Sequence, residues 1–272
     1  MKIVSSGRVL NSKAFYEKKK KRRRTKFLLF FILFLSIVYL GVFLLRQERF
    51  LITDVVIEGD NIVDRSEMIQ VVRRLLDGKY LWLVPRANSL IYPRGAIKHN
   101  LISTFPRLMT VDLSLDAERK LLVNIEERSP FALYCPVSGD CYFLDESGLI
   151  FASAPSFSRG VYFVYVALNM IESPIGQRFV PSDEFQSLQY FLEKLKNINI
   201  NPIAFDIGET DYSLVLPQDG KIIWRKDADL KHIESNLGAF LGSDAIKAQG
   251  DFLNRILYLD LRTENKVFYK YK

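Results

Sequence analysis

Cysteine and histidine are scarce, with two of each in 272 residues. A structural zinc site takes four ligands, and Cys135 and Cys141 have no second pair nearby. His99 and His232 fall in expected helices of different modules, outside any H-E-x-x-H pattern, and read as surface or half-buried helix residues. The chain lacks the G-x-S-x-G turn that exposes a nucleophilic serine, and its glycine spacings lack the Gly-Lys-Ser/Thr ending of a phosphate loop. Among 31 acidic residues no pair stands in an arrangement that chance would not supply, and Asp145 and Glu146 in "LDESG" are turn residues first. No catalytic, cofactor-binding or metal-binding residue emerges. The sequence reads as a non-enzyme without internal repeats.

Positive charge is present but lopsided. Residues 1–26 carry eleven Lys/Arg and one Glu, a net of +10; subtracting this from the overall +7 leaves −3 for the rest. The part expected to fold is therefore not basic, which argues against nucleic acid as a partner. The run "KKKKRRRTK" (18–26) abuts "FLLFFILFLSIVYLGVFLL" (27–45), nineteen residues without a charge. As a helix this segment spans about 28 Å, close to the roughly 30 Å hydrocarbon core of a bilayer. A buried core helix would normally show a polar face, and here only Ser36, Tyr39 and Gly41 interrupt the apolar surface. Eight cations precede the span and only Arg46 and Arg49 follow it closely, so the positive-inside rule keeps the N-terminus cytoplasmic. No A-x-A-like cleavage site follows, which favours an uncleaved anchor over a signal peptide. The 18–26 run is also placed to hold anionic lipid headgroups.

Beyond the span the pattern is α+β. "RFLITDVVIEGDNIV" is extended and breaks at Glu58-Gly59-Asp60-Asn61. "DRSEMIQVVRRLLDG" is a helix: Asp64 caps it, Glu67 completes a capping box, Val63 and Met68 form a staple, Ile69, Val72, Leu75 and Leu76 make the apolar stripe, and Gly78 stops it. "KYLWLVPRANSLIYP" is less regular. A second helix, with Ile97, Leu101 and Phe105 on one face, ends at Pro106, and strands at 109–118 and 121–128 complete a β-α-α-β-β module.

From Ser129 strands dominate. "PFALYC" and "CYFLDESGLIF" form a hairpin, "VYFVYVAL" is a third strand, and Pro181-Ser182-Asp183 opens a helix striped by Phe185, Leu188, Leu192 and Leu195. "NPIAFDI", "YSLVLP" and "KIIWR" are strands, and "DLKHIESNLGAFLGSDAIK" is one helix weakened by Gly238 and Gly242. Cys135 and Cys141 flank the turn "PVSGD"; they can pair across the hairpin in an oxidising compartment or stay as two free thiols. The closing "RILYLDLRTENKVFYKYK" reads as a strand, a tight turn and a strand reaching Lys272. Leu257, Leu259 and Leu261 are expected on one face of the first strand, and Val267, Tyr269 and Tyr271 on one face of the second. The outer edge of that last strand is expected to be open.

The layout resembles the bacterial division proteins of the FtsQ/DivIB family, and local strings agree with it. "VVIEGDNIV" is similar to the family's opening strand, with Gly59 and Asn61 at its turn. "EERSPFALY" is similar to the interdomain linker, with Glu127, Arg128, Pro130 and Ala132. "LDESGLIF" resembles a strand-turn-strand with Asp145, Gly148 and Phe151, and "YLDLR" a penultimate strand.

The resemblance implies a cytoplasmic tail (1–26), a transmembrane helix (27–45), a POTRA domain (50–128) and a β domain (129–272) with a mixed or antiparallel sheet and flanking helices. It further implies a scaffold at the division septum that binds FtsB/FtsL-like coiled-coil proteins and helps control the septal peptidoglycan synthase machinery. The partner adds a strand to the terminal edge, contacted by Arg262, Thr263, Val267, Phe268, Tyr269 and Tyr271. Arg262 matches a charged contact and Tyr271 an aromatic; Thr263 stands where relatives commonly carry an aromatic. The lysines at 266, 270 and 272 also suit a strand protected against edge-to-edge aggregation. A POTRA-bearing secretion or assembly factor is the rival reading, and would bring a β-barrel or further POTRA repeats. A membrane-anchored hydrolase is a third, and would need a nucleophile and base.

Overall fold

A computed structural model describes residues 12–59, 62–137, 139–168, 171–263 and 266–272. The first helix, α1 (Ser12–Leu45), carries both the basic run and the apolar run without a break. Its part from Tyr16 to Leu45 is long and apolar enough to cross a membrane, and its most apolar window is not buried by the rest of the protein.

Next come β1 (Asp54–Gly59), α2 (Arg65–Leu76), a short hairpin β2 (Lys79–Tyr80) and β3 (Val84–Pro85), α3 (Arg94–Thr104), β4 (Leu108–Leu115) and β5 (Lys120–Glu127). The longer strands form a three-stranded sheet in the order β1-β5-β4. This is the expected β-α-α-β-β order with one extra hairpin, in the segment that looked irregular. The Asp64 carboxylate accepts the Ser66 N–H at 2.8 Å, capping α2. Met68 is fully buried on that helix together with Val72, while Ile69 is only half-buried. Val72 and Leu76 of the expected stripe are buried with Met68 along the i, i+4, i+8 row of the helix, and Ile69 and Leu75 flank that row half-buried.

Gly59 closes β1 at φ +110°, where a Cβ would sit 2.1 Å from the Ile125 carbonyl oxygen. Only glycine fits that backbone. The turn residues Asp60 and Asn61 lie outside the described residues, as do Ser138 and the Glu264-Asn265 turn.

The remainder contains β6 (Ala132–Pro136), β7 (Tyr142–Leu144), β8 (Ile150–Ser153), β9 (Phe163–Ala167), α4 (Ser182–Asn197), β10 (Ala204–Ile207), β11 (Asp211–Val215), β12 (Lys221–Arg225), α5 (Leu230–Gly242), α6 (Asp244–Lys247), α7 (Phe252–Arg255), β13 (Ile256–Thr263) and β14 (Lys266–Tyr271). These strands form one nine-stranded mixed sheet, ordered β14-β13-β12-β11-β10-β9-β6-β7-β8. Pairs β6/β9, β9/β10 and β12/β13 are parallel. Parallel neighbours need a crossover, and α4 supplies one between β9 and β10 and α5–α7 another between β12 and β13. Phe185, Leu188, Leu192 and Leu195 of α4 join Phe205, Leu214, Ile222, Trp224, Leu237 and Leu259 in one apolar core. The helix expected over 229–247 breaks at Ser243, whose extended backbone ends α5.

Compact packing divides the chain into two units. One takes residues up to Glu58, Asp64–Lys98 and Asp112–Asn124; the other takes Gly59–Val63, His99–Val111 and Ile125–Lys272.

Candidate functional site: the terminal sheet edge

The two edges of the large sheet are finished differently. At β8 the Ile150 N–H donates to the Gln177 carbonyl (2.9 Å) and the Gly176 N–H to the Ile150 carbonyl (2.7 Å), so an irregular segment covers the start of that edge. At the other end β14 pairs antiparallel with β13, its one strand neighbour among the described residues. Lys272 donates its N–H back to the Arg255 carbonyl at 3.1 Å. Backbone groups of successive strand residues point to opposite sides, so Tyr271, Tyr269 and Val267 direct theirs outward.

The side chains of this hairpin divide between two faces. Leu259 pairs with Tyr269, Ile256 with Tyr271 and Asp260 with Phe268. Val267, Tyr269 and Tyr271 thus share the helix-covered face: Val267 packs on the core, and Tyr269 lies 5.9 Å from Phe240 and 5.3 Å from Phe252, ring centre to ring centre. Tyr271 sits beside Tyr269 (5.5 Å), beneath the Arg255 guanidinium (5.5 Å), and donates its hydroxyl to the Gln249 side chain. Phe268 is on the opposite face and 51% exposed. Thr263 is exposed and pairs with Lys266 beside the turn.

Leu257 departs from the expected alternation. A register shift between Ile256 and Tyr258 puts Ile256 in the core and leaves Leu257 43% exposed. One extra residue in a strand turns the following side chains by one position.

Arg262 is not waiting for a partner. Its guanidinium bonds the Asp260 carboxylate at 3.0 and 2.6 Å and reaches across β12 to Asp211 at 3.0 Å. Asp260 also accepts the Arg262 backbone N–H at 3.0 Å. The arginine's hydrogen bonds hold the Asp260 carboxyl below its ordinary value despite some desolvation. The same carboxylates, Asp260 foremost, push Arg262 up from its own. An external acidic group would compete with two internal ones. The Asp260-x-Arg262 spacing hinted at one of these contacts, because residues i and i+2 share a strand face. Asp211, two strands away, carried no local signal. Beside the hairpin, a groove of about 1000 Å³ runs past Asp229, His232, Arg262 and Lys266.

Cys135 and Cys141 are joined in a disulfide between the end of β6 and the start of β7. Both are buried, and the Arg159 guanidinium lies 3.1 Å from the Cys141 sulfur. His99 and His232 are exposed on separate helices, and among the described residues no group of three His, Cys, Asp or Glu could hold a metal ion.

The residues of the "EERSPFALY" and "LDESGLIF" strings form a buried polar network. Glu127 accepts the N–H groups of Ile62 (2.8 Å) and Val63 (3.0 Å) and pairs with Arg107 at 2.7 Å. Arg128 donates to the Pro106 carbonyl (3.0 Å) and pairs with Asp145 at 2.5 Å. The other Asp145 oxygen accepts the Ser147 N–H and hydroxyl and the Leu149 N–H, fixing the turn between β7 and β8. Glu127, Arg128 and Asp145 are thus each held by internal hydrogen bonds and ion pairs. No family model matches the sequence, and a comparison with curated proteins finds no match.

Proposed function

We propose that this chain is a membrane-anchored, non-enzymatic scaffold of the FtsQ/DivIB type. In this reading 27–45 of α1 span the cell membrane, residues 1–26 stay in the cytoplasm near anionic lipid, and a POTRA domain (50–128) and a β domain (129–272) stand outside at the division septum. An FtsB/FtsL-like partner adds a strand alongside β14, coupling the scaffold to the septal peptidoglycan synthase machinery. One observation supports this most: an irregular segment bonds to the start of one edge strand, while β14, at the other edge, has an unpaired flank among the described residues. Such an edge is normally blunted unless it serves pairing. The Arg262 ion pairs shift the emphasis from that charge to the β14 backbone and to Phe268.

Deleting residues 263–272 should abolish pulldown of the coiled-coil partner. A finer variant is Tyr269→Pro, since proline is tolerated on an edge where its missing N–H faces outward. It should abolish pulldown, whereas Tyr269→Ala, which loses the same ring packing on Phe240 and Phe252 but keeps the outward N–H, should retain it. Retained pulldown by both the deletion and Tyr269→Pro sinks the docking site. A fluorescent fusion should collect in a mid-cell band; a uniform membrane ring counts against the division role.

A further inference from the structure

The hairpin β2–β3 and the turn after it carry a surface that the sheet edge does not explain. Leu81 and Trp82 are 87% and 88% exposed at the hairpin tip, followed by Leu83, and Leu90 and Ile91 are exposed in the next turn. Leu81 and Trp82 both hold left-handed backbone, at φ 45° and 60°. Glycine or asparagine occupies such tips with little strain, and bulky residues do so at a cost. A large apolar pair on strained backbone, turned fully to solvent, points to something outside the chain.

The same surface is tied to the end of the apolar helix. Asn88, fully buried, donates its side-chain N–H to the Leu45 carbonyl at 2.7 Å, satisfying one of the free carbonyls at that helix end. Arg46 donates through Nε to the Leu83 carbonyl at 2.6 Å and reaches the Trp82 carbonyl at 3.5 Å. The Ser89 N–H donates to the Phe50 carbonyl at 2.7 Å. Both turns are thereby held at the level where the apolar run gives way to polar sequence. For a crossing helix, that level is the headgroup region, where tryptophan is favoured.

We propose that the Leu81–Leu83 tip and the Leu90–Ile91 turn dock into the outer interfacial layer of the lipid bilayer, with Trp82 at the boundary between headgroups and acyl chains. The proposal rests on the reading of α1 as a membrane span. Docking fixes the first folded unit against the membrane surface, so that the helix end and the hairpin act together as a two-point anchor.

The sequence contains two tryptophans, and Trp224 is fully buried, so emission sensitive to solvent or lipid belongs to Trp82. The full-length protein is reconstituted into phosphatidylcholine/phosphatidylglycerol vesicles containing lipids brominated near the headgroup end of the acyl chain. The expected result is a loss of Trp82 emission to brominated lipid with protection from aqueous iodide, and disappearance of the lipid-dependent loss in Trp82→Phe. Emission untouched by brominated lipid overturns the docking, whether iodide reaches Trp82 or another protein surface shields it. Alkaline extraction scores the span separately: retained protein with unquenched Trp82 overturns the docking alone, whereas released protein overturns both.

Discussion

Removing the Asp145 carboxylate should be among the most damaging single changes in the second unit. Asp145 is 7% exposed and accepts four hydrogen bonds, from Arg128, the Ser147 N–H and hydroxyl, and the Leu149 N–H. Breaking a buried ion pair by deleting one partner costs about 3–5 kcal/mol, because the other charge stays behind. The Arg128 side chain is 16% exposed and keeps its bond to Pro106, which puts Asp145→Ala near the lower end, about 3 kcal/mol. Asp145→Asn keeps the shape and one acceptor oxygen for the turn, and should lose about 2 kcal/mol, the scale of a hydrogen bond to a charged group. The measurement is urea unfolding of the detergent-solubilised full chain, followed by Trp224 emission in a Trp82→Phe background. With a slope of about 1–3 kcal/mol per molar, the Ala variant should shift the midpoint down by about 1–3 M.

The pH dependence provides a second arm. Burial pushes the Asp145 carboxyl up, but the hydrogen bonds from Leu149 and Ser147 and the Arg128 charge outweigh it and leave it below its ordinary 3.8. A depressed carboxylate adds stability that is fully present above the ordinary value and lost as pH falls through the folded one. The gap between the parent and Asp145→Asn should therefore be widest near neutrality and shrink below about pH 4. An Ala variant with an unshifted midpoint, or a gap that widens in acid, would refute the reasoning.

Other changes follow the same physics. Gly148→Ala should destabilise, since φ is +77° and the added Cβ would sit 2.9 Å from the Phe185 ring; its urea midpoint should fall. Phe185→Ala removes a fully buried ring that packs against Tyr165, 5.4 Å centre to centre, and should cost about 3–5 kcal/mol in the same assay. Mass spectrometry of the intact protein under denaturing conditions should show a gain of two hydrogens on reduction, from the Cys135–Cys141 disulfide. Native protein should resist the same reductant longer, because both cysteines are buried.

Much of the architecture was legible in the chain because it depends on local periodicity. The apolar run of 27–45, the Asp64 cap and the Phe185–Leu195 stripe are written in consecutive residues, and the structure places helices over all three. The hairpin at 79–85 was not legible, since its tip carries Leu81 and Trp82 where turn chemistry would put glycine or asparagine. The shift at Leu257 was hidden for a related reason: a bulge is a mismatch between two strands, and one strand's pattern does not record it.

The candidate site divides along the same line. The sequence by itself determined that the chain closes on two alternating strands rich in aromatics and lysine. It also placed Asp145 in a turn between strands, and the resemblance singled out Glu127 and Arg128 beside it in sequence strings similar to the family's. Only the tertiary structure decided that β14 ends the sheet while the start of β8 is bonded to the 176–177 segment, that Arg262 is already held by Asp260 and Asp211, and that Arg128 meets Asp145 across seventeen residues. Sheet order and charge pairing join residues far apart in the chain, so their energies depend on positions that no local pattern encodes.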